Sequence, residues 1–153
     1  MAETTYRTIV IQAGPMGVNR QEALAGEAGI KPGHLLEISS GNVVTHNTSD
    51  GFTQKLIALE SQNADSETLP SIDVAYASGD TVYYAVAAPG EVYYMFLKAS
   101  ENVTAGVTAL VSEADGTLKA ASVGETTIAG AVVGVTLTTS NVASVQRIKV
   151  RIV

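Results

Sequence analysis

The chain has no cysteine and no tryptophan, only two phenylalanines and two histidines, and few charged residues for its 153-residue length. Without cysteine it has neither disulfides nor thiolate metal ligands, and the redox compartment stays open. No apolar run approaches the ~20 residues needed to span a bilayer. The N-terminus also lacks a basic region followed by an apolar core, as a signal peptide would have. We therefore expect a soluble protein, made in a cytoplasm and without a membrane partner.

Basic residues are too few for a nucleic-acid binder. The chain has nine Lys and Arg against fifteen Asp and Glu, a net charge of −6, whereas binding to phosphates needs clustered positive charge. The one basic cluster, Arg147, Lys149 and Arg151, alternates with apolar residues. Such alternation is typical of the solvent-facing side of a strand. We expect no direct contact with nucleic acid.

Short apolar runs separated by turn residues fill the chain beyond about residue 30. This spacing predicts an all-β fold, a small sandwich or barrel, formed by one domain. Asp115-Gly116 is a strong hairpin turn pair between two of the runs. Residues 54–60 suit either a strand or a helix; the turn residues on both sides favour a strand.

One short α-helix is predicted near residues 20–28. Asn19 and Glu22 have the spacing of a capping box, and Gly29 suits the position after a helix end. Because so short a helix is marginal alone, we expect it to dock on the β-rich body.

Four of the six tyrosines lie in two Val-Tyr-Tyr triplets on either side of Pro89-Gly90. These are Tyr83, Tyr84, Tyr93 and Tyr94. Both triplets predict strands, joined by a type II turn. Alternating side chains leave no polar face on either strand. Either the second face meets another subunit, with the four tyrosines at the interface, or the predicted helix covers it within one chain.

A separate apolar strand lies near the N-terminus, formed by Thr8, Ile9, Val10 and Ile11. Gly14 and Pro15 follow it and separate it from the rest of the chain. We therefore divide the chain into an N-terminal arm, residues 1–18, and a body, residues 19–153. An apolar strand left loose in water invites aggregation. We expect this strand to be held by the protein's own barrel or by a partner's sheet.

Residues for catalysis are scarce. His34 and His46 have neither a Gly-x-Ser-x-Gly partner nor the spacing of metal ligands. Glu113 with Asp115, or Asp65 with Glu67, are best explained as solvated loop carboxylates. We predict no enzyme activity, no metal and no cofactor. The alternative, a small hydrolase or isomerase, requires a carboxylate beside one of the two histidines.

Three stretches resemble a known family when they are taken in order. They are residues 30–51, residues 76–106, and residues 110–121 followed by 130–139. Their pattern runs Pro-Gly-x-Leu-Leu, Gly-Asp-x-Val, Pro-Gly-Glu-x-Tyr, Asn-Val-Thr-x-Gly, then Asp-Gly-Thr-Leu before a Val-Gly strand. This succession is similar to the capsid decoration (cement) proteins of tailed bacteriophages. The third stretch also resembles the lambda-type head decoration proteins.

The resemblance implies a compact β-barrel-like body on the outside of a virion's capsid. Its expected work is mechanical, tying neighbouring capsomers together, without a reaction or a cofactor. The implied partner is the major capsid protein, with the protein commonly a homotrimer there. An extended N-terminal arm often pairs with the capsid protein's strands, which makes Thr8 to Ile11 the candidate capsid-binding segment. The remaining alternative is a virion surface module that binds a receptor or carbohydrate through the loops at one end of the barrel.

Overall fold

The computed structural model of the chain describes residues 6–61, 71–122 and 130–153. Eleven strands and one short 3-10 helix, Ser71–Asp73, make up its regular structure in these ranges. The strands are β1 (Val10–Gln12), β2 (Asn19–Leu24), β3 (Leu35–Ser39), β4 (Asn42–Thr45), β5 (Leu56–Ala58), β6 (Thr81–Val86), β7 (Val92–Leu97), β8 (Ala109–Ser112), β9 (Leu118–Ala120), β10 (Val132–Thr136) and β11 (Gln146–Ile152). The all-β, barrel-like body predicted from the sequence is confirmed. None of the described helical residues forms a span long and apolar enough to cross a membrane.

The first sheet nearly closes on itself. Its order is β1-β7-β11-β10-β8-β9, and β9 returns to pair with β7. Since β11 covers one edge of β7, β1 and β9 share the other. β1 lies beside Val92 and Tyr93, and β9 lies beside Leu97 at the far end. The five strands β7 to β11 thus form a small barrel, and β1 adds to it at the edge of β7.

The second sheet has the order β2-β6-β5-β3-β4. A single bridge between Ala25, just after β2, and Val43 of β4 brings the two outer strands of this sheet together. Gly26 donates its N–H to the carbonyl of Val43 at 2.8 Å. The second sheet is therefore also curled, and it encloses apolar residues of its own.

Two hydrophobic cores result, and strands β3, β5 and β6 form a wall between them. Leu35, Ile57 and Ala85 of the wall belong to the main core together with the first sheet. Their sequence neighbours Leu36, Leu56 and Tyr84 belong to the second core. Because side chains alternate across a strand, each wall strand contributes to both cores.

This wall explains why the first tyrosine strand, β6, is apolar on both faces. Val82 and Tyr84 point into the second core, while Tyr83 packs against the main core. The second tyrosine strand, β7, belongs to the other sheet and does not pair with β6. The turn at Pro89-Gly90, where Gly90 has φ of 91°, carries the chain from one sheet to the other.

The predicted helix at residues 20–28 is wrong, because Asn19–Leu24 is strand β2. It pairs with β6 in a regular antiparallel register over all six residues. The Asn19 side chain does not cap a helix; its Oδ1 accepts a hydrogen bond from Gln21 Nε2 at 3.0 Å. An isolated helix of this length is marginal, and the edge of β6 offers backbone partners along the whole segment. Tertiary pairing therefore overrides the local helix signal.

The N-terminal strand, predicted as an arm set apart from the body, pairs with the body's own β7 in this structure. Ile9 is fully buried in the main core. Its carbonyl accepts the N–H of Tyr94 at 2.8 Å, and its N–H donates to Glu60 Oε1. Of the two ways of holding this strand that the sequence allows, the described residues show the first.

The remaining strand predictions agree with the structure. Leu56–Ala58 is a strand, as favoured for residues 54–60. The Asp115-Gly116 turn joins the antiparallel strands β8 and β9. Asp115 Oδ1 accepts hydrogen bonds from the N–H and the hydroxyl of Thr117, which stabilises this turn. Asp65 and Glu67 lie outside the described residues.

The buried position of Ile9 leads to a stability prediction. Ile9→Ala should lower the free energy of unfolding by about 2–5 kcal/mol, the usual cost of truncating a buried isoleucine. For a chain of this size that is a fall in Tm of about 5–15 °C. Ile38→Ala is the matched control, because Ile38 is 45% exposed. Thermal unfolding of both variants measures the difference. Equal Tm values would contradict the placement of β1 in the body's core.

Candidate functional site

An aromatic and basic surface covers the outer face of β7 and β11; we call it the aromatic–basic face. On these two strands Tyr94 lies opposite Lys149, and Phe96 lies opposite Arg147. Tyr6 packs edge-on against Tyr94 with ring centroids 5.4 Å apart, and Lys149 Nζ lies 5.6 Å from the Tyr6 ring. The face consists of Tyr6, His34, Tyr94, Phe96, Arg147 and Lys149.

Arg147 serves this face as a structural clamp. Its Nε donates to the Pro32 carbonyl at 3.1 Å, and Nη1 pairs with Asp73 at 2.8 Å. Nη2 donates to the Ile72 carbonyl, and the guanidinium lies 4.4 Å above the Phe96 ring. The basic cluster is therefore more than the solvent-exposed side of a strand, because Arg147 joins β11 to the segments at Pro32 and at Ile72–Asp73.

His34, which belongs to the same face, is held in its neutral form. Its Nδ1 accepts the N–H of Lys31 at 3.0 Å, and its ring lies 4.8 Å from the Phe96 ring. Burial lowers the pKa of His34 to about 4, because a buried imidazole loses the hydration of its charged form. This histidine packs and bonds as an uncharged group at neutral pH.

The four tyrosines predicted for a subunit interface occupy different environments. Tyr93 is fully buried in the main core, and Tyr84 is buried in the second core. Tyr83 and Tyr94 are only partly buried. A subunit contact through side-chain surface is thus open to Tyr83 and Tyr94 alone among the four. The interface itself and the homotrimer stay predictions.

Glu91 is a buried carboxylate that the sequence analysis missed. Its Oε2 accepts the N–H of Gly14 at 3.1 Å, and its Oε1 accepts the N–H of Ala88 at 2.7 Å and the Tyr93 hydroxyl at 3.1 Å. Burial and the neighbouring carboxylate both raise the pKa of Tyr93. Glu91 ties the turn after β1 to the turn before β7. Its place after Pro-Gly in the sequence suggests only a turn residue.

A second candidate site is a shallow groove beside β3. Its volume is about 190 Å³, and it is lined by Glu37, Ile38, His46, Phe52 and Gln54. Phe52 is 61% exposed. His46 is buried and donates from Nε2 to the Phe52 carbonyl at 3.1 Å. Its Nδ1 has no partner among the described residues.

Neither histidine is hydrogen-bonded to a carboxylate within the described residues. Glu37 comes no closer to His46 Nε2 than 3.9 Å, and that nitrogen already donates to a carbonyl. The Nδ1 atom of His34 is engaged by a backbone N–H. Among the described residues, these contacts do not provide the general base oriented by a carboxylate that the hydrolase alternative requires. The described ranges also hold no group of three acidic or histidine side chains placed for a metal ion.

Comparison with known proteins gives a likeness of fold. No protein-family model matches the chain, and no curated protein matches it. A similar solved structure is the N base of head fiber gp8.5 in bacteriophage phi29, with a TM-score of 0.53. The match covers 89% of this chain and 98% of that one at 12% sequence identity. Almost the whole head fiber base thus has a counterpart in this fold.

The neutral state of His34 predicts how stability depends on pH. The unfolded imidazole binds a proton below pH 6.5, whereas the folded one does so only below about 4. The unfolded state therefore gains protons first as the pH falls, and up to about 3 kcal/mol of stability is lost between these values. His34→Asn keeps an acceptor for the Lys31 N–H and does not titrate.

Urea unfolding at pH 7, 5.5 and 4 measures this contribution. The wild-type free energy of unfolding should fall more steeply than that of His34→Asn over this range. Parallel pH profiles of the two proteins would show that His34 is not held neutral by the fold.

Proposed function

We propose that this chain is a structural protein of a phage virion that binds the outside of the capsid and bridges neighbouring capsomers, without catalysing a reaction. The observation that carries the proposal is the likeness in fold, over 89% of the chain, to the base of a phage head fiber. The sequence resemblance to capsid decoration proteins is a second line of support. It depends on sequence motifs, whereas the likeness to the head fiber base depends on the fold.

The residues that carry the sequence resemblance occupy positions that the fold requires. Gly33, in the Pro-Gly before β3, has φ of 97°, and a Cβ there would lie 2.9 Å from the Tyr94 carbonyl oxygen. Glu91, in Pro-Gly-Glu, is the buried carboxylate between two turns. Gly116 of Asp-Gly-Thr has φ of 79°. The motifs that this chain shares with capsid decoration proteins therefore support a common architecture. Proteins with a mechanical role and no reactive site would share motifs of this structural kind.

The aromatic–basic face is the proposed surface for the major capsid protein. It lies beside β1, so the N-terminal residues and the partly buried Tyr94 and Tyr6 form one continuous area. Tyrosine is enriched at protein interfaces because it combines a large apolar ring with a polar tip. In this proposal Thr8 to Ile11 contribute as part of the body's sheet, next to the tyrosines.

Cosedimentation with empty capsids of the phage that encodes the chain tests this proposal. Tyr94→Ser should reduce the amount of protein that sediments with capsids by at least about ten-fold, as expected for truncation of an interface tyrosine. Tyr83→Ser is the matched control, because Tyr83 is also partly buried but lies on the other sheet. Its binding should stay near the wild-type level.

Thermal unfolding of both variants, run beside the binding assay, shows whether each still folds. Wild-type protein that fails to sediment with capsids would overturn the capsid proposal. If both variants fold and lose capsid binding equally, the aromatic–basic face is not the surface that contacts the capsid.

Receptor or carbohydrate binding is the second candidate, and the groove at Phe52 favours it. Sugar sites in proteins combine an aromatic ring with polar groups that bind hydroxyls, and Phe52 lies here beside Glu37 and Gln54. This candidate predicts binding to host cells or a glycan array that Phe52→Ala abolishes. It predicts no loss of that binding in Tyr94→Ser. The two variants therefore separate the two functions.

A further inference from the structure

Strand β2 is paired along only one edge over most of its length. It bonds to β6 on that side. On the other side, the one backbone pairing among residues 6–61, 71–122 and 130–153 is the bridge from Ala25, the residue after β2, to Val43 of β4, so the C-terminal end of β2 lies near β4 while the rest of this edge is unpaired. Five of its six residues are exposed. An unpaired strand edge of this kind is a template for another strand.

The hydrogen-bond pattern shows which backbone groups face outward. Ala25 donates its N–H to Asp80 and accepts the N–H of Gly79, so it faces the β6 side. Gly26 donates to Val43 on the opposite side. Because successive residues alternate in an antiparallel ladder, the odd-numbered residues of β2 bond to β6. Arg20, Glu22 and the terminal Leu24 therefore face outward.

Strand β6 gives the same answer independently. The Tyr83 carbonyl accepts the N–H of Leu59, and the Ala87 N–H donates to Lys55, both on the β5 side. The even-numbered residues of β6 must then face β2, and Val82, Tyr84 and Val86 are opposite Ala23, Gln21 and Asn19. Arg20, Glu22 and Leu24 again remain as the outward residues. Arg20 and Glu22, in the middle of the strand, have two N–H groups and two carbonyls between them.

We propose that two copies of this chain pair through the outer edges of β2, antiparallel and centred on Gln21. In this register Arg20 of each copy lies opposite Glu22 of the other. Arg20 and Glu22 of one copy thus meet Glu22 and Arg20 of the other as hydrogen-bonded pairs, so four main-chain hydrogen bonds form. The contact is isologous and closes with two copies.

Charge selects this register among the symmetric ones. A centre at Arg20 would place two arginines opposite each other, and a centre at Glu22 would place two glutamates opposite each other. Only the centre at Gln21 gives two pairs of opposite charge, which stabilise cross-strand contacts. Within the described residues Arg20 and Glu22 have no ion-pair partner of their own.

The alternating charges also limit which strands can pair with this edge. Charged residues on an edge strand disfavour pairing with apolar strands, while they fit the same sequence running in the opposite direction. Since the contact is small, it is weak in solution and becomes populated at high protein concentration. The inference rests on β2 alone and does not depend on the proposed function.

A single introduced cysteine tests the register, because the chain has no cysteine of its own. At the predicted centre Gln21 faces Gln21 in a non-hydrogen-bonded pair, where Cα atoms lie about 4.5 Å apart, within the range of a disulfide. Gln21→Cys should therefore give a disulfide-linked dimer on mild oxidation. Asn19→Cys is the matched control, since its two copies would lie about 14 Å apart.

Charge reversal tests the ion pairs by sedimentation equilibrium of the full chain. Arg20→Glu should raise the dimer Kd roughly ten- to thirty-fold, because two attractive pairs become repulsive. The double variant Arg20→Glu/Glu22→Arg should return it to within about three-fold of wild type. Arg151→Glu, the same charge change at an exposed site on β11, should leave it unchanged.

Restoration by the double swap together with register-specific crosslinking supports the pairing. Three outcomes would overturn it. One is a wild-type chain that stays monomeric at millimolar concentration. Another is Gln21→Cys that crosslinks no faster than Asn19→Cys. The last is an oligomer of any size whose Kd is the same in wild type and in Arg20→Glu.

Discussion

Burial of one set of strands on both faces is the constraint on which the rest of the structure depends. β3, β5 and β6 stand between two cores, so neighbouring residues such as Leu35 and Leu36 are both fully buried but in different cores. The side-chain period of a strand is two. A slip of one residue would exchange the contents of the two cores, and the register of the wall is therefore strongly specified.

The wall also decides which surfaces remain for function. The first sheet uses its inner face for the main core, and its outer face carries the aromatic–basic face on β7 and β11. The second sheet is curled, and β2 is its most exposed strand. Arg147 and Glu91 then fix the turns around these surfaces by hydrogen bonds to backbone groups. Surfaces and strand edges are therefore what these two sheets leave exposed for contacts.

Much of the fold follows from local patterns. Strands 35–39 and 109–112 coincide with short apolar runs, and strand 146–152 coincides with the alternation of basic and apolar residues. Gly90 and Gly116 take the positive φ that their turns require. These features depend on a few neighbouring residues, so sequence patterns predict them.

The failures share a cause, which is pairing between distant segments. Asn19–Leu24 has the local pattern of a helix start but is a strand because β6 lies beside it. The two tyrosine strands are neighbours in sequence, yet each pairs within a different sheet. The buried carboxylate of Glu91 likewise depends on a partner that is 77 residues away. Local patterns contain no information about such partners.

The central claim is that the wall joins both cores into one cooperative unit, and native-state hydrogen exchange of Leu36→Ala tests it most directly. Leu36 belongs only to the second core, and its truncation should cost about 2–5 kcal/mol. If the cores unfold together, the slowest-exchanging amides of β10 and β11, in the far sheet, should lose the same free energy of protection as those of β3. Loss confined to the second sheet would contradict the claim.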